Sequence, residues 1–312
     1  MKEGSKVNVR EMIAKNKRAK SLNTIIEKVI PKGLLFIAII SILTTVGIVL
    51  TLLFETFEFF KRVPILDFFT GTVLKPLGDN AEFGVLPLLT GTIISSTIAM
   101  LVAIPVGMMS AIYLSEYASE RVRKILKPIL EILAGIPTIV YGFFALTFVT
   151  PLLQSIIPGL EPTNILSPGI VMGIMIIPMV ASLSEDAMSS VPNSIREGAL
   201  GLGSTKLEVT WKVVIPAAMS GIIASFVLGI SRAIGETMIV TLASGSSKNF
   251  TFDVTQSMQT MTSYIVEVNS GDAPAGSTLY YSLYAVAITL FVFTLVMNLL
   301  AQYISRKFKE EY

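Results

Sequence analysis

The segment Asn193–Pro216, NSIREGALGLGSTKLEVTWKVVIP, is a polar, glycine-containing stretch between long apolar runs. Ile195, Ala199 and Leu202 recur in it at helical spacing, which predicts a short helix with one apolar face. Gly203 is a natural end for that helix. We therefore expect a compact turn that is too polar to span a bilayer and is suited to docking into a groove on another protein.

A second short helix is predicted directly after this turn. Thr205 is followed three residues later by Glu208, which is the pattern of a capping box at a helix start. This helix carries Trp211 and leads into the next apolar run. An ordinary helix-turn-helix loop without a docking role is the alternative.

The spacing resembles the signature loop of ABC-importer permeases, in which Glu-Ala-Ala is followed by three residues, Gly, nine residues and Ile-x-Leu-Pro. In this chain, Glu197-Gly198-Ala199 takes the place of Glu-Ala-Ala, and Gly203 falls at the required spacing. The sequence Val-Val-Ile-Pro at 213–216 takes the place of Ile-x-Leu-Pro. Gly198 replaces the middle Ala and loosens the helix by about 0.5–1 kcal/mol. The resemblance implies an ATPase-coupling loop over 185–216. Its candidate residues are Ile195, Arg196, Glu197, Gly198, Ala199 and Gly203.

The composition is that of a membrane protein. The chain has 312 residues, 52% of them hydrophobic and 15% charged, and its mean hydropathy is +0.71. These values exclude a soluble globular domain and indicate a polytopic membrane protein. There is no Cys and no His, which excludes disulfides, thiol chemistry and histidine metal ligands. We expect no catalytic residue and no metal site.

Six apolar runs are long enough to cross a bilayer, which takes about 20 residues. The expected spans lie within or near Gly33–Phe54, Phe83–Ser115, Pro128–Leu153, Ile165–Leu183, Val213–Ser244 and Thr278–Tyr303. The predicted fold class is therefore an all-α membrane protein with six transmembrane helices. Pro105, Gly135–Pro137 and Pro178 lie in mid-run, where a broken helix and close helix packing are open alternatives.

The same pattern suggests four parts of the chain. They are a basic N-terminal segment at 1–32, the first span with its loop at 33–82, a permease core with five spans at 83–306, and a tail at 307–312. The basic segment is either an amphipathic helix over Val9–Ile30 on the inner leaflet or a disordered tail. The polar loop 245–277 shows a helical pattern around Val254–Val268.

Orientation follows from the distribution of Lys and Arg. Nine lie in 1–32, four in 115–128, three in 185–215 and three at the C-terminus, against four on the opposite side. The positive-inside rule therefore places both termini and the coupling loop in the cytoplasm. Together with the resemblance, this implies a multi-pass protein of the prokaryotic plasma membrane.

Two charged residues of the fifth span give the sharpest functional signal. Arg232 and Glu236 are four residues apart on one predicted helical face and can pair. An Arg near a helix centre costs about 2.5–3.5 kcal/mol on insertion scales and usually faces a bundle interior or an aqueous cavity. A guanidinium suits a tetrahedral oxyanion. Arg232, Glu236 and Thr237 are the candidate substrate-pathway residues, and a structural ion pair is the alternative.

Three further stretches indicate which group of ABC-importer permeases the chain resembles. RAIGETM at 232–238, AIYLSEYA at 111–118 and AGIPTIVYGFFAL at 134–146 resemble phosphate ABC-importer permeases, and the PstC-type subunit more than the PstA-type. The resemblance extends in patches from about Leu88 to the C-terminus. It implies the type I ABC-importer permease fold with a cytoplasmic coupling helix. The implied partners are a PstA-type permease, two copies of a PstB-type ATPase, an external PstS-type phosphate-binding protein and membrane lipid.

The chain has no Gly-x-x-x-x-Gly-Lys-Ser/Thr loop and no Gly-Lys dipeptide. We therefore expect no cofactor on this chain, with ATP and Mg²⁺ on the partner ATPase, and no nucleic-acid partner. One alternative is a permease for another oxyanion such as sulfate, molybdate or phosphonate. Another is an ion-coupled secondary transporter in which Arg232 and Glu236 form a relay, but this leaves the coupling loop unexplained.

Overall fold

The computed structural model describes residues 9–78, 80–271 and 273–307. The first eight residues of the predicted basic segment and residues 308–312 of the predicted tail lie outside this description. The chain divides into two units, the first ending at Phe54 and the second beginning at Glu55. This division falls inside the predicted 33–82 part.

The first unit consists of helix α1 as far as Phe54. This helix runs over Val9–Phe60 and contains Pro31, so its last residues, from Glu55 onward, belong to the second unit. Residues Val9–Ile30 are therefore helical and continue without a break into the predicted first span, while the predicted position of this part on the inner leaflet stays a prediction. From Val29 onward the helix is long and apolar enough to cross a membrane, and none of its most apolar window is buried. An apolar surface of this extent is typical of a helix that faces lipid or another protein.

The second unit is mostly helical. Its helices are α2 Ile65–Thr70, α3 Leu86–Ile112, α4 Glu120–Ala134, α5 Thr138–Phe144, α6 Thr150–Gln154, α7 Leu166–Ser189, α8 Asn193–Gly201, α9 Lys206–Val209, α10 Ile215–Ala217, α11 Met219–Ile234, α12 Met238–Ala243, α13 Met261–Ser270 and α14 Thr278–Lys307. Strands β1, Leu74–Lys75, and β2, Glu82–Phe83, form an antiparallel hairpin. π-Helical turns follow α3, α5 and α9 at Tyr113–Tyr117, Ala145–Val149 and Thr210–Val214.

The core lies where α3 packs along α7 and where α11 packs against both α7 and α14. Glycines allow this approach. A Cβ on Gly173 would lie 2.7 Å from the carbonyl oxygen of Ala99, and one on Gly107 would lie 2.8 Å from the side chain of Val180. Close contact through small residues is how membrane helices associate without a hydrophobic driving force.

The prolines within the predicted spans have two different effects on the helices. Pro105 and Pro178 lie inside α3 and α7 without ending them. At Gly135–Pro137, in contrast, α4 meets the helix Thr138–Gln154 at 86°. Proline lacks an N–H and disfavours helical geometry in the residue before it, which ends α4 at this point. The third predicted span, Pro128–Leu153, is therefore not one straight helix.

The fifth predicted span is also interrupted. The helix that ends at Ala217 meets α11 at 70°, and α11 ends at Ile234, before Gly235. Four helices of the described chain are long and apolar enough to span a membrane, or up to six when each bent pair counts as one span. The six predicted spans correspond to the larger number.

The loop 245–277 turns back into the helical core before α13. The Met261 amide donates to the Thr92 hydroxyl of α3 (3.0 Å), and the Thr262 hydroxyl donates to the Glu236 carbonyl (2.8 Å). The helix predicted around Val254–Val268 begins only at Met261, because Thr260 is extended and its hydroxyl caps α13.

Candidate functional site

The first helix of the coupling loop, α8, ends as its glycines predict. The Gly203 amide donates to the Leu200 carbonyl (2.9 Å) and the Ser204 amide to the Ala199 carbonyl (3.3 Å). Gly203 has φ +89°, a conformation that a side chain disfavours. These two bonds form a Schellman motif, which closes the helix and satisfies its last carbonyls.

The second helix, α9, starts with the predicted capping box, which is confirmed. The Glu208 amide donates to the Thr205 hydroxyl (3.3 Å), and the Thr205 amide donates to the Glu208 carboxylate (3.0 Å). Hydrogen bonds from the Thr205 backbone and side chain, and then Lys212, lower the pKa of Glu208. The carboxylate is thus kept ionised at the helix start, where it satisfies free amide donors.

The predicted apolar face of α8 divides between two environments. Ile195 and Ala199 pack against the chain's own core, whereas Leu202 is 90% exposed. The other exposed large apolar side chains of the loop are Leu200, Leu207 and Trp211. An exposed apolar group of this kind is the part of the loop available to a partner. Docking through the predicted residues stays a prediction.

Arg196 attaches α8 to the ends of two membrane helices. Its guanidinium donates to the Met188 carbonyl of α7 (2.6 Å) and to the Glu116 carboxylate after α3 (3.2 Å). It also donates to the Val191 carbonyl. The two paired side chains are only 15% and 6% exposed. Arg196 is therefore occupied inside the chain and fixes the position of the coupling helix.

A second contact reaches the same π-helical turn. The Lys206 ammonium of α9 lies 5.0 Å from the centre of the Tyr117 ring, in cation–π geometry. Both helices of the coupling loop thus contact Tyr113–Tyr117, which belongs to the AIYLSEYA stretch. Glu197 and Gly198, in contrast, are exposed, and a Cβ on Gly198 would meet nothing within 4 Å.

A buried carboxylate at the start of the coupling loop was not predicted. Glu185, in the last turns of α7, is fully buried and pairs with Arg123 and with Lys127 (2.8 Å), both on α4. Lys127 also pairs with Asp186 (2.6 Å). The signal in the sequence is the acidic pair that closes the fourth apolar run, together with the basic run that opens α4. The paired residues are 58 to 62 positions apart in the chain, so the sequence alone does not show that they are in contact.

The predicted Arg232–Glu236 ion pair is wrong. Among the residues whose side chains the structure describes (27, 29–78, 80–271 and 273–305), no salt bridge involves either side chain. The cause is the end of α11 at Ile234, which breaks the expected i,i+4 geometry. The Glu236 carboxylate instead accepts the amides of Met238 (3.0 Å) and Ile239 (3.3 Å) at the start of α12.

Arg232 is exposed at the end of α11. The adjacent Ser231 hydroxyl donates to the Asn298 side chain of α14, which fixes the rotation of this helix end. Thr237 is half-buried, and its hydroxyl donates to the Gly235 carbonyl (3.3 Å). The Arg232 side chain is therefore exposed at a helix end whose neighbour Ser231 is hydrogen-bonded, and its binding of an anion stays a prediction.

Comparisons with known proteins identify the family of the chain. Residues 103–310 match a family described as binding-protein-dependent transport system inner membrane component. The chain is 32% identical over 274 residues to the probable ABC transporter permease protein YqgH of Bacillus subtilis, covering 87% of this chain and 88% of that protein. It is also 32% identical over 285 residues to the probable phosphate transport system permease protein PstC of Methanocaldococcus jannaschii, covering 84% and 90%.

A solved structure has the same fold. The chain is similar to a bacterial alginate ABC transporter, solved in complex with an alginate pentasaccharide-bound periplasmic protein, with a TM-score of 0.58. The likeness covers 81% of this chain and 86% of that chain at 17% identity. At this identity the comparison concerns the fold alone.

Proposed function

Because this chain belongs to the family of binding-protein-dependent transport system inner membrane components, we propose that it is the permease subunit of an ATP-driven inorganic phosphate importer. The observation that carries the proposal is an exposed Arg232, without a carboxylate partner among the described residues, in a membrane helix of a chain that also has a capped coupling loop. The relative named as a phosphate permease and the stretch RAIGETM favour phosphate among the oxyanions.

Arg232 provides the anion-binding charge of the pathway. A phosphate ion that leaves water loses hydration, and a guanidinium replaces part of it with charge-assisted hydrogen bonds. Ser231 and Asn298 hold the helix end that carries Arg232, so the backbone position of Arg232 is set before the anion arrives. Glu236 shapes the turn between α11 and α12, while Thr237 offers a hydroxyl beside it.

The coupling loop transmits motion and performs no chemistry. Its exposed apolar residues, led by Leu202, dock in a groove of a separate ATPase. Arg196 joins the docked helix to the Met188 carbonyl of α7 and to Glu116 after α3. A displacement of the loop therefore moves the ends of both helices, since two-state packed elements transmit such shifts.

The chain forms half of the pathway. The other half is a second, PstA-type permease, two PstB-type ATPase subunits bind ATP and Mg²⁺ in the cytoplasm, and a PstS-type protein delivers phosphate from outside. ATP hydrolysis takes place on those subunits rather than on this chain. Both termini and the coupling loop lie on the cytoplasmic side, in accordance with the distribution of Lys and Arg.

The test is uptake of radiolabelled phosphate by cells in which no other phosphate importer is active. We expect uptake to disappear when this chain is deleted, to return when it is restored, and to resist an excess of unlabelled sulfate. Deletion of the partner ATPase should abolish uptake equally, because an ion-coupled secondary transporter would not need it.

Two outcomes would overturn the proposal. Phosphate uptake that is unchanged by deletion removes phosphate as the substrate. Uptake that is inhibited by sulfate, molybdate or phosphonate as strongly as by unlabelled phosphate assigns the permease to another or a broader group of oxyanions.

A further inference from the structure

Helix α4 lies almost entirely on the surface of the chain. None of its 15 residues is buried, although six of them are Ile or Leu. It follows Ser119, whose hydroxyl caps it, and it ends at Gly135, where the chain bends by 86° into the helix Thr138–Gln154. With Thr138–Gln154 as the part of the third span that crosses the bilayer, a helix at nearly a right angle to it runs along the membrane surface rather than through it.

The rotation of α4 about its axis is fixed by the buried carboxylate of α7. Glu185 binds Arg123 and Lys127, one turn apart on α4, and Arg123 also donates to the Ser189 hydroxyl (2.9 Å). A fully buried carboxylate with two cations is costly to separate. The same side of α4 therefore stays against α7, and the opposite side is presented outward.

The exposed surface of α4 carries two parallel strips, one opposite α7 and one beside the α7 contact. Ile125, Ile129 and Ile132 are 63%, 46% and 70% exposed and fall within an arc of about 60° at 3.6 residues per turn. A charged strip lies about 80° away on the same helical geometry. Its exposed members are Glu120, Lys124 and Glu131. Arg121 is exposed between the two strips.

From this arrangement we propose that α4 lies in the lipid–water boundary on the coupling-loop side of the membrane. The isoleucine strip contacts acyl chains, the charged strip faces water, and Arg121 binds the phosphate of a phospholipid headgroup. Apolar and charged faces side by side are the pattern of an interfacial helix, and an arginine at the boundary extends its charge to headgroup level.

The arrangement gives α4 a role beyond phosphate recognition. Because Glu185 is at the start of the coupling loop, the lipid-bound α4 is a fixed support beside the part that the ATPase moves. A subunit of another protein covering the isoleucine strip is the competing occupant. Lipid and a protein partner can be distinguished by which small molecules collide with a label attached to the isoleucine strip.

The test uses nitroxide labels on single cysteines, which the cysteine-free sequence makes simple. The full chain, alone and in its assembled complex, is placed in phosphatidylcholine–phosphatidylglycerol vesicles in phosphate-free buffer. Labels at Ile125→Cys, Ile129→Cys and Ile132→Cys are expected to collide mainly with oxygen, which concentrates in lipid. Labels at Glu120→Cys and Lys124→Cys are expected to collide mainly with a water-soluble nickel chelate.

A second arm tests the arginine. With the label at Ile132→Cys, Arg121→Glu should reduce the oxygen collision rate severalfold, and Arg121→Lys should keep it near the parental value. Adding inorganic phosphate should change neither result, because the ligand is the lipid headgroup.

Three results would overturn the proposal. Isoleucine-strip labels that neither reagent reaches are covered by protein, and labels that the nickel chelate reaches are in water. A response to inorganic phosphate rather than to Arg121→Glu assigns the arginine to free anion. None of these results depends on transport, so the phosphate-import proposal stands or fails separately.

Discussion

The charged side chains of the coupling loop and those at the end of α11 differ in their partners. In the loop, Arg196 and Glu208 are hydrogen-bonded within the chain. At the end of α11, Arg232 is exposed and joined to no carboxylate among the side chains described between residues 29 and 305, while Glu236 caps the next helix. Charged side chains that are hydrogen-bonded within the chain stabilise a rigid element. An unpaired charge in a membrane helix, in contrast, is typical of a site that binds a ligand or a partner.

The largest expected effect is at the unpaired charge. Arg232→Met should lower phosphate uptake by about 10- to 100-fold, since hydrogen bonds to a charged group contribute about 1.5–3 kcal/mol and 1.4 kcal/mol is a factor of ten. The measurement is initial uptake of labelled phosphate in cells, with copurification of the partner subunits to verify assembly.

Arg232→Lys is the matched control. It keeps the charge but not the planar set of donors, so uptake should fall between that of the parent and that of the Met variant. Parental uptake in Arg232→Met, with the complex intact, would show that the unpaired arginine has no role in the anion pathway.

The second prediction separates the two sides of α8. Leu202→Asp should abolish copurification of the ATPase without changing the stability of the chain, because Leu202 is exposed and has no internal role. Ile195→Asp should weaken the loop itself by about 1–3 kcal/mol, since it places a charge against the core.

Trp211 reports the difference between these two variants. It is the single tryptophan of the chain and lies in the π-helical turn after α9. Its emission in the purified chain should change in Ile195→Asp and remain parental in Leu202→Asp. If the two variants behave alike in both copurification and emission, the division of the α8 face has no functional meaning.

The third prediction tests the internal attachment of the loop. Arg196→Ala leaves the nearly buried Glu116 carboxylate without its cation, which should cost about 1.5–3 kcal/mol. ATP hydrolysis by the reconstituted complex should continue while phosphate transported per ATP falls, because the docked helix no longer moves α3 and α7 together.

Lys212→Ala is its control within the same loop. The Lys212–Glu208 pair is exposed on both sides, and such surface pairs contribute about 0–1 kcal/mol. Transport per ATP should therefore remain parental. An equal loss of coupling in the two variants would attribute the effect to loop charge in general rather than to the Arg196 attachment.

Local features of the site were predictable because neighbouring residues determine them. The capping box needs only Thr205 and Glu208 at their spacing, and the end of α8 needs a residue that tolerates positive φ, which is Gly203. The spans follow from apolar length alone. Each of these depends on interactions over a few residues.

Long-range pairs were not predictable from one sequence. Arg196 and Glu116 are 80 residues apart, and each has several plausible partners until the helices are placed. The Arg232–Glu236 error has a local cause instead. The helical pattern in the sequence continues past Gly235, but the backbone ends α11 at Ile234, because a glycine gives no side-chain support to a further turn.

The smallest expected effects are those of replacing two glycines of the coupling loop, of which only Gly203 has a backbone conformation that a side chain disfavours. A Cβ added to Gly198 in α8 would have no neighbouring atom within 4 Å, so Gly198→Ala should stabilise the helix by about 0.5–1 kcal/mol. Gly203→Ala should destabilise the loop by about 1–2 kcal/mol, because φ is +89° there. Hydrogen exchange of the α8 amides measures both changes. Parental uptake in Gly198→Ala is expected; slower uptake with a stabilised α8 would instead identify Gly198 as a point where the ATPase approaches the backbone.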